Sequence, residues 1–487
     1  MLTDDIIRPD QEIQAPPFGE GFPPKTIALV GVSRTDHLQH PGYTGLRLLR
    51  ILRDGGYEGR IYPVNPKADY IDGIKAYPEV SAIPERVDLV NITVPSPKVP
   101  AVLDDCARAG ARNVQICSSG FGETGQPEGK DLDRQIIEIA RRTGLRVIGP
   151  NCMGFHVPSA RMKMFEDVPL EAGPVAFLSQ SGGHARVFIH HASAMGIGVS
   201  KVISHGNALL MDTPNFLEAL ESDPDTGIIC MYLEGVRDGQ RLMDMVRRIN
   251  KTKPVIIWKG GLTGPGARAA ASHTASLAGE KRIWEAFFKQ TGAIQAGSIA
   301  DLIDMAVTLD RLGPAGSKRV AVLGAGGGDT VAAGDACANA GLELPLLSPL
   351  TREQLMEFIF LVNQGIANPL DLPIVFRDVD VLRRTLRVLA SDPAVDALLI
   401  RVGSEFFTID DIFPPVADFA ECILDLVRNE TNGKPIMVAV TEESSLEPAE
   451  KHARALREFG VPALGSLQRA SHALSRAITF QQYQREH

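Results

Sequence analysis

Short runs of β-branched and apolar residues recur along this chain, and the stretches between them return apolar residues at helical spacing. A chain patterned this way folds into parallel sheets, because a strand followed by a crossover helix re-enters its sheet in the same direction. In the first unit the runs are Thr26 to Gly31, Arg60 to Val64, Leu89 to Val94, Asn113 to Cys117 and Arg146 to Ile148. Between the first two, Gly45 to Arg53 places Leu46, Leu49 and Leu52 on related helix faces. This predicts an N-terminal arm over 1–24 and a Rossmann-like unit over 25–158. A second α/β unit is expected over 159–312, with strands at Val175 to Leu178, Val199 to Ile203, Gly227 to Tyr232 and Pro254 to Trp258. Helices near Lys281 to Gln290 and Ser298 to Leu312 close it, and Gly313-Pro-Ala-Gly-Ser317 reads as a linker. A third unit, 318–487, carries strands at Arg319 to Leu323, Ala397 to Val402, Pro435 to Val440 and Ala463 to Leu464. The expected fold class is α/β, a Rossmann-like domain followed by two flavodoxin-like domains.

Composition narrows the function. The formal net charge is -9 and no long basic block occurs, which argues against nucleic acid or an anionic membrane as partner. Apolar runs are strand length, too short for a membrane span. The first 24 residues lack an apolar h-region, so no secretory signal is expected there. The six cysteines show no metal-type spacing, and reduced, mostly buried thiols in the cytoplasm are expected. No metal site is predicted.

Candidate chemistry collects at strand ends. Gly264 to Gly279 puts His273 inside a run of small residues, just after the strand Pro254 to Trp258. Small residues admit a second body close to the backbone, and a histidine there titrates near neutral pH and serves as nucleophile or base. The competing reading is a surface helix start with Ser272 as N-cap. Gly31-Val-Ser33 follows a strand and precedes a helix, a place where backbone N–H groups bind phosphate. It is not a GxGxxG turn, and the second strand ends in Pro63-Val-Asn65-Pro-Lys67 where a dinucleotide site wants an acid. Val94-Pro95-Ser-Pro97, Ser118 to Gly125 and Gly149-Pro-Asn151 end the next three strands, at the edge where open α/β sheets bind ligands; plain structural turns are the alternative. Ser179-Gln-Ser-Gly-Gly183 lies between a strand and a helix and makes an anion site by the helix-dipole argument. Glu234 ends another strand. A second Gly-rich turn, Gly324 to Gly328, reads as tight packing rather than a phosphate loop.

Taken in order, these motifs resemble the nucleoside-diphosphate-forming acyl-CoA synthetases, relatives of the succinyl-CoA synthetase α subunit. The motifs are Gly31-Val-Ser33, Tyr62 to Lys67, Ser118 to Gly125, Gly149 to Gly154, Ser179 to Gly183, Tyr232-Leu-Glu-Gly235 and Gly264 to Gly279. The resemblance spans roughly residues 24 to 470. It implies a CoA-binding first domain, a CoA-ligase second domain carrying a phosphohistidine loop, and an extra C-terminal α/β domain. It makes His273 the phosphohistidine and Glu234 the carboxylate that orients it. Ser179, Gln180, Ser181, Gly182 and Gly183 would bind the phosphoryl group. CoA would meet Gly31, Ser33, Asn65, Lys67, Val94, Pro95, Ser118 and Ser119, and the acyl end Gly122, Glu123 and Asn151. His184 and His205 depart from the family pattern and read either as groups that support the site from behind or as neutral surface histidines, the second reading being favoured.

No ATP-grasp domain and no Walker-type GxxxxGK[ST] occurs in the sequence. The expectation is an ADP-forming acyl-CoA synthetase α subunit, holding the CoA half and borrowing ATP or ADP and Mg²⁺ from an ATP-grasp β subunit, in an α₂β₂ assembly. Its substrates would be acyl-CoA, phosphate and a carboxylic acid. Two other readings stand beside it: a non-catalytic CoA-binding regulator, and an NAD(P)-dependent oxidoreductase.

Overall fold

The structure is a computed structural model that describes residues 22–33, 44–274, 280–360, 365–407, 414–431, 433–441 and 449–487, with backbone alone at 271–274 and 405. Of the expected N-terminal arm, 1–21 lie outside the described residues.

The first sheet contains β1 (Thr26–Val30), β2 (Arg60–Val64), β5 (Leu89–Ile92), β6 (Asn113–Ile116) and β7 (Arg146–Ile148), with β3 (Tyr70–Ile71) and β4 (Ile74–Lys75) as a small separate hairpin. Its order is β2-β1-β5-β6-β7, all parallel. The chain leaves β1 toward one side and returns to pair with β5 on the other. The crevice between the loops after β1 and β5 is thus the switch point of the sheet, where ligands of open α/β folds bind.

The second sheet comprises β8 (Gly154–His156), β9 (Ala172–Ser179), β10 (Val199–Ser204), β11 (Ile228–Leu233), β12 (Val255–Lys259) and β13 (Ile294–Ala296), in the order β13-β12-β11-β9-β10-β8. Strand β11 reads Ile-Ile-Cys-Met-Tyr-Leu and is buried throughout, as a parallel strand covered on both faces must be. One strand was illegible: β8, inside the segment assigned by sequence to the first unit, pairs antiparallel with β10 (Gly154 opposite Ser204, His156 opposite Val202). Three residues between turns carry no periodicity that would assign them to a sheet. One apolar core joins both sheets, with Leu29 and Leu49 of the first in the same cluster as Leu178 and Met231 of the second.

The third sheet is β14 (Val320–Gly324), β15 (Leu370–Asp371), β16 (Ala397–Gly403), β17 (Ile436–Thr441) and β18 (Ala463–Leu464), ordered β15-β14-β16-β17-β18 and parallel. The chain divides into two compact units, Met1–Ser193 with Ile197–Ile299, and Ala194–Gly196 with Ala300–His487. The division falls ahead of the Gly313 break read from composition. The helix Ile299–Arg311 is tied to the C-terminal helix Leu467–Glu486, where Arg469 donates to Asp304 (2.5 and 2.8 Å) and Arg476 to Asp301 (2.9 Å).

The Gly324 to Gly328 turn is a packing device. Asp371 Oδ1 accepts the Gly326 N–H at 2.6 Å, and the buried Arg401 donates to Ala325 O while facing Asp329 at 3.1 Å. Carboxylates thus stand where a phosphate would have to enter. Asn368 fastens the same region, accepting from Val322 N and donating to Val320 O and Pro345 O. Asn368→Ala removes three bonds and leaves partly buried backbone groups unpaired, so it is expected to lower unfolding free energy by about 2–3 kcal/mol. Urea denaturation read in the far ultraviolet checks this.

Candidate active site

Every βα loop of a parallel sheet leaves by the same edge, so residues far apart in sequence meet there. At the first switch point Gly31 has φ +96°, and a Cβ on it would lie 2.9 Å from Val94 Cγ1 and 3.0 Å from Thr93 Oγ1. Only glycine lets the β1 turn lie this close to the end of β5. Asn65 bridges the neighbouring turns through its side chain, donating to Val32 O at 2.6 Å and accepting from Lys67 N at 2.8 Å. The Ser118 hydroxyl donates to Val94 O at 2.5 Å. Lys67, Pro95 and Ser119 are exposed at this edge, and Ser33 is partly exposed. The predicted CoA residues therefore divide into a scaffold (Gly31, Asn65, Ser118) and an accessible face (Lys67, Pro95, Ser119). Residues 34–43, the rest of the loop after Ser33, lie outside the described residues.

Two of the three predicted acyl-end residues, Glu123 and Asn151, meet through a residue that sequence reasoning passed over, and Gly122 precedes Glu123 in the same turn. Glu123 accepts from Gly120 N (2.7 Å) and Phe121 N (3.2 Å), and from the side-chain amide of Asn207 at 2.7 Å. Asn207 Oδ1 in turn accepts from Asn151 Nδ2 at 3.3 Å, while Asn207 N donates to Pro150 O. Asn207 comes from the loop after β10, so it carries the second sheet's contribution into the first sheet's edge. Its placement needs Gly206 at φ +58°, where a Cβ would sit 2.3 Å from Asn151 O. A Gly-Asn pair ending a strand was the available signal. Asp133 was also missed. It lies behind Gly122, and burial, reinforced by Glu123, pushes its carboxyl up to about 6.

Ser181 to Gly183 form the start of the helix Gly182–Ala194. Ser181 Oγ accepts from His184 N at 3.3 Å, and Ser179 Oγ braces the turn through Ser181 N and O. A helix N-terminus of this kind presents unpaired N–H groups and a positive dipole end. A Cβ on Gly182 would meet Met153 at 2.3 Å, whereas Gly183 is exposed. Gln180 faces elsewhere: its Oε1 accepts from Glu234 N at 2.5 Å and Gly235 N at 3.0 Å.

Glu234 is 4% exposed, and Gln180, Lys259 and Tyr232 are among the groups that hold it. Gln180 takes its N–H. Lys259 Nζ donates to its carbonyl at 2.8 Å. The Tyr232 hydroxyl, whose phenol burial pushes up so that it stays a donor, gives its proton to Oε1 at 3.1 Å. His184 lies edge-on to Tyr232 (4.3 Å between ring centres) and tilted against Trp258 (4.9 Å).

His273 lies in the last turn of the helix Gly264–Thr274, so Ser272 is not an N-cap: the helix starts eight residues earlier, at Gly264. The His273 side chain lies outside the described residues. The helix that carries His273 packs against the turn Gly122–Thr124 of the predicted acyl end. His205 is fully buried, with Nε2 3.2 Å from Thr213 Oγ1 and its ring against Phe216, and burial lowers its pKa to about 4. It is neutral, as expected, but a core histidine rather than a surface one, because the loop after β10 turns it inward against Phe216. All six cysteines are unpaired, five of them buried. Among the described residues no cluster of His, Cys, Asp and Glu suits a metal, and no helix is long and apolar enough to cross a membrane.

Residues 25–158 match the CoA-binding domain model, and 172–309 the succinyl-CoA ligase-like flavodoxin domain. The acetate–CoA ligase (ADP-forming) II subunit alpha of Pyrococcus furiosus is 36% identical over 88% of this chain and 92% of its own length. The chain belongs to the ADP-forming acetate–CoA ligase family. The acetate–CoA ligase (ADP-forming) I of Archaeoglobus fulgidus is 35% identical over 93% of this chain, which spans 62% of that longer relative. Among solved structures, the Ca. Korarchaeum cryptofilum dinucleotide-forming acetyl-coenzyme A synthetase 1 in complex with phosphate and ADP superposes with a TM-score of 0.81 at 32% identity, covering 95% of this chain and 96% of that one. The ligase reading thus stands over the regulatory and oxidoreductase readings.

Two outcomes are expected of the site. Asn207→Ala cuts the link between Glu123 and Asn151 and should cost about 1–3 kcal/mol in urea unfolding. His205 has a folded pKa near 4 against 6.5 when unfolded, so the unfolded chain binds more protons between these values. Stability is then full above pH 6.5 and is lost as pH falls toward 4. The melting temperature of His205→Leu should fall less steeply than that of wild type across this window.

Proposed function

We propose that this chain is the CoA-binding, phosphohistidine-carrying α subunit of an ADP-forming acyl-CoA synthetase, with domains at 25–158, 159–312 and 318–487. The observation that supports it most is the packing of the His273 helix against the Gly122–Thr124 turn, beside the Glu123–Asn207–Asn151 chain. The crevice at Gly31 and Val94, with Lys67 and Ser119 accessible, suits the phosphates and pantetheine of CoA. The names of the relatives as alpha subunits support a separate partner. We assign that partner the ATP-grasp fold, the nucleotide and Mg²⁺, in an α₂β₂ assembly in the cytoplasm.

In this reading inorganic phosphate attacks the thioester carbonyl, the C–S bond breaks, and acyl phosphate and CoA result. His273 then attacks phosphorus and releases the carboxylate. Glu234 accepts Nδ1–H and so presents Nε2 as nucleophile. The amides at Ser181 to Gly183 hold the transferred phosphoryl group. The carrier segment moves to the partner and phosphorylates ADP; each step is reversible.

The test is intact-protein mass after incubation with phosphate and a panel of acyl-CoA thioesters, beside His273→Ala, with the ATP-grasp partner added if the chain alone is silent. One acid-labile phosphoryl group, lost in His273→Ala, is the expected outcome, and the thioester that drives it names the substrate class. No phosphorylation with any thioester and partner overturns the reading.

A further inference from the structure

Lysine is seldom buried without a purpose, and Lys259 is 4% exposed at the end of β12. Its ammonium has three protons to place. One goes to Glu234 O at 2.8 Å and one to Gly260 O. The ammonium also lies 5.2 Å from the centre of the Trp284 ring, a cation–π contact. These three partners occupy three different places in the chain. Glu234 ends the neighbouring strand. Gly260 begins the segment that leads to His273. Trp284 sits in the first turns of the helix Lys281–Thr291, where that segment ends. Gly260 is fixed further by its N–H, which donates to Leu233 O at 2.9 Å, and by lack of room: a Cβ there would lie 2.9 Å from the Tyr232 hydroxyl.

We propose that Lys259 is a positioning residue that pins both roots of the His273 segment to the backbone of Glu234, so that the carrier returns to the same place after each excursion. This rests on the carrier reading above. Burial lowers the Lys259 pKa to about 8, with Glu234 acting in the opposite direction, so the cation persists at neutral pH. A hinge that swings needs fixed ends. The cation supplies them through its contacts to Gly260 and Trp284, which flank the segment in sequence. Arginine, with more donors and a permanent charge, meets the same partners in kind. Methionine keeps the length and loses charge and donors.

The experiment uses the full chain as wild type, Lys259→Met and Lys259→Arg. It measures the rate of acid-labile phosphorylation from acetyl-CoA and phosphate, with the partner present if wild type needs it. CoA affinity and tryptic cleavage at the exposed Arg268 are read alongside. In Lys259→Met, phosphorylation should slow by about a hundredfold, the cost of a misplaced reacting group. CoA affinity should stay within about twofold, because the CoA crevice lies on the other sheet. Cleavage at Arg268 should quicken by about tenfold as the segment loosens. Lys259→Arg should recover phosphorylation to within about tenfold of wild type. Should the methionine variant not fold, Lys259→Gln carries the same test.

A wild-type phosphorylation rate in Lys259→Met overturns the proposal. So does a loss of rate that follows a loss of CoA affinity in step, which marks a general structural role. If wild type itself carries no phosphohistidine, the carrier reading falls. The cleavage rate then decides the anchor alone: faster cleavage upholds the pin, and unchanged cleavage overturns it.

Discussion

A parallel strand delivers its loop to one edge of the sheet only, and every candidate functional group in this protein depends on that constraint. Gly31, Lys67, Pro95, Ser119 and Asn151 are separated by up to 120 residues in sequence, yet all follow strands of the first sheet and emerge on the same edge. The second sheet repeats the device for Ser181, Asn207 and Glu234. The two sheets then share a core, and Asn207 reaches from the loop after β10 to Glu123, so two edges become one site.

Within that site the polar groups are held by neighbours before any ligand arrives. Glu123 accepts two backbone N–H groups and an amide. Glu234 is gripped at its N–H, its carbonyl and its carboxylate by Gln180, Lys259 and Tyr232. A buried carboxylate without partners costs several kcal/mol and resolves the cost by protonating. One that is hydrogen-bonded keeps its direction. Preorganisation of this kind fixes where a partner group must arrive, because the polar atoms need not reorient to meet it.

How far the sequence could be read depended on whether a feature is local. The apolar runs of β9, β11 and β12 stood out because a strand buried on both faces needs no partner to be recognised. The strand β8 did not, since three residues next to turns take their identity from the antiparallel neighbour β10. The Gly313 break was visible as composition. The compact units part nearer Ile299, because Arg469 and Arg476 bind the helix Ile299–Arg311 from more than 160 residues away. Among site residues, Glu123, Asn151 and Glu234 were legible through the ordered motifs they belong to. Asn207 and Lys259 were not. Each looks ordinary in its own segment and gains its role only from what stands opposite.

By itself the sequence determined the class of fold, three α/β units built on parallel strands, and which strand ends carry glycine, serine and acid. Those are properties of periodicity and turn chemistry, which act over a few residues. Only the tertiary structure decided that Gln180 faces the Glu234 backbone, that His205 is neutral within a core, and that a buried lysine joins the two roots of the His273 segment. The physical reason is range. Hydrogen bonds and burial depend on distances across the fold, and residues such as Lys259 and Trp284 come within reach only after the sheet has placed them there.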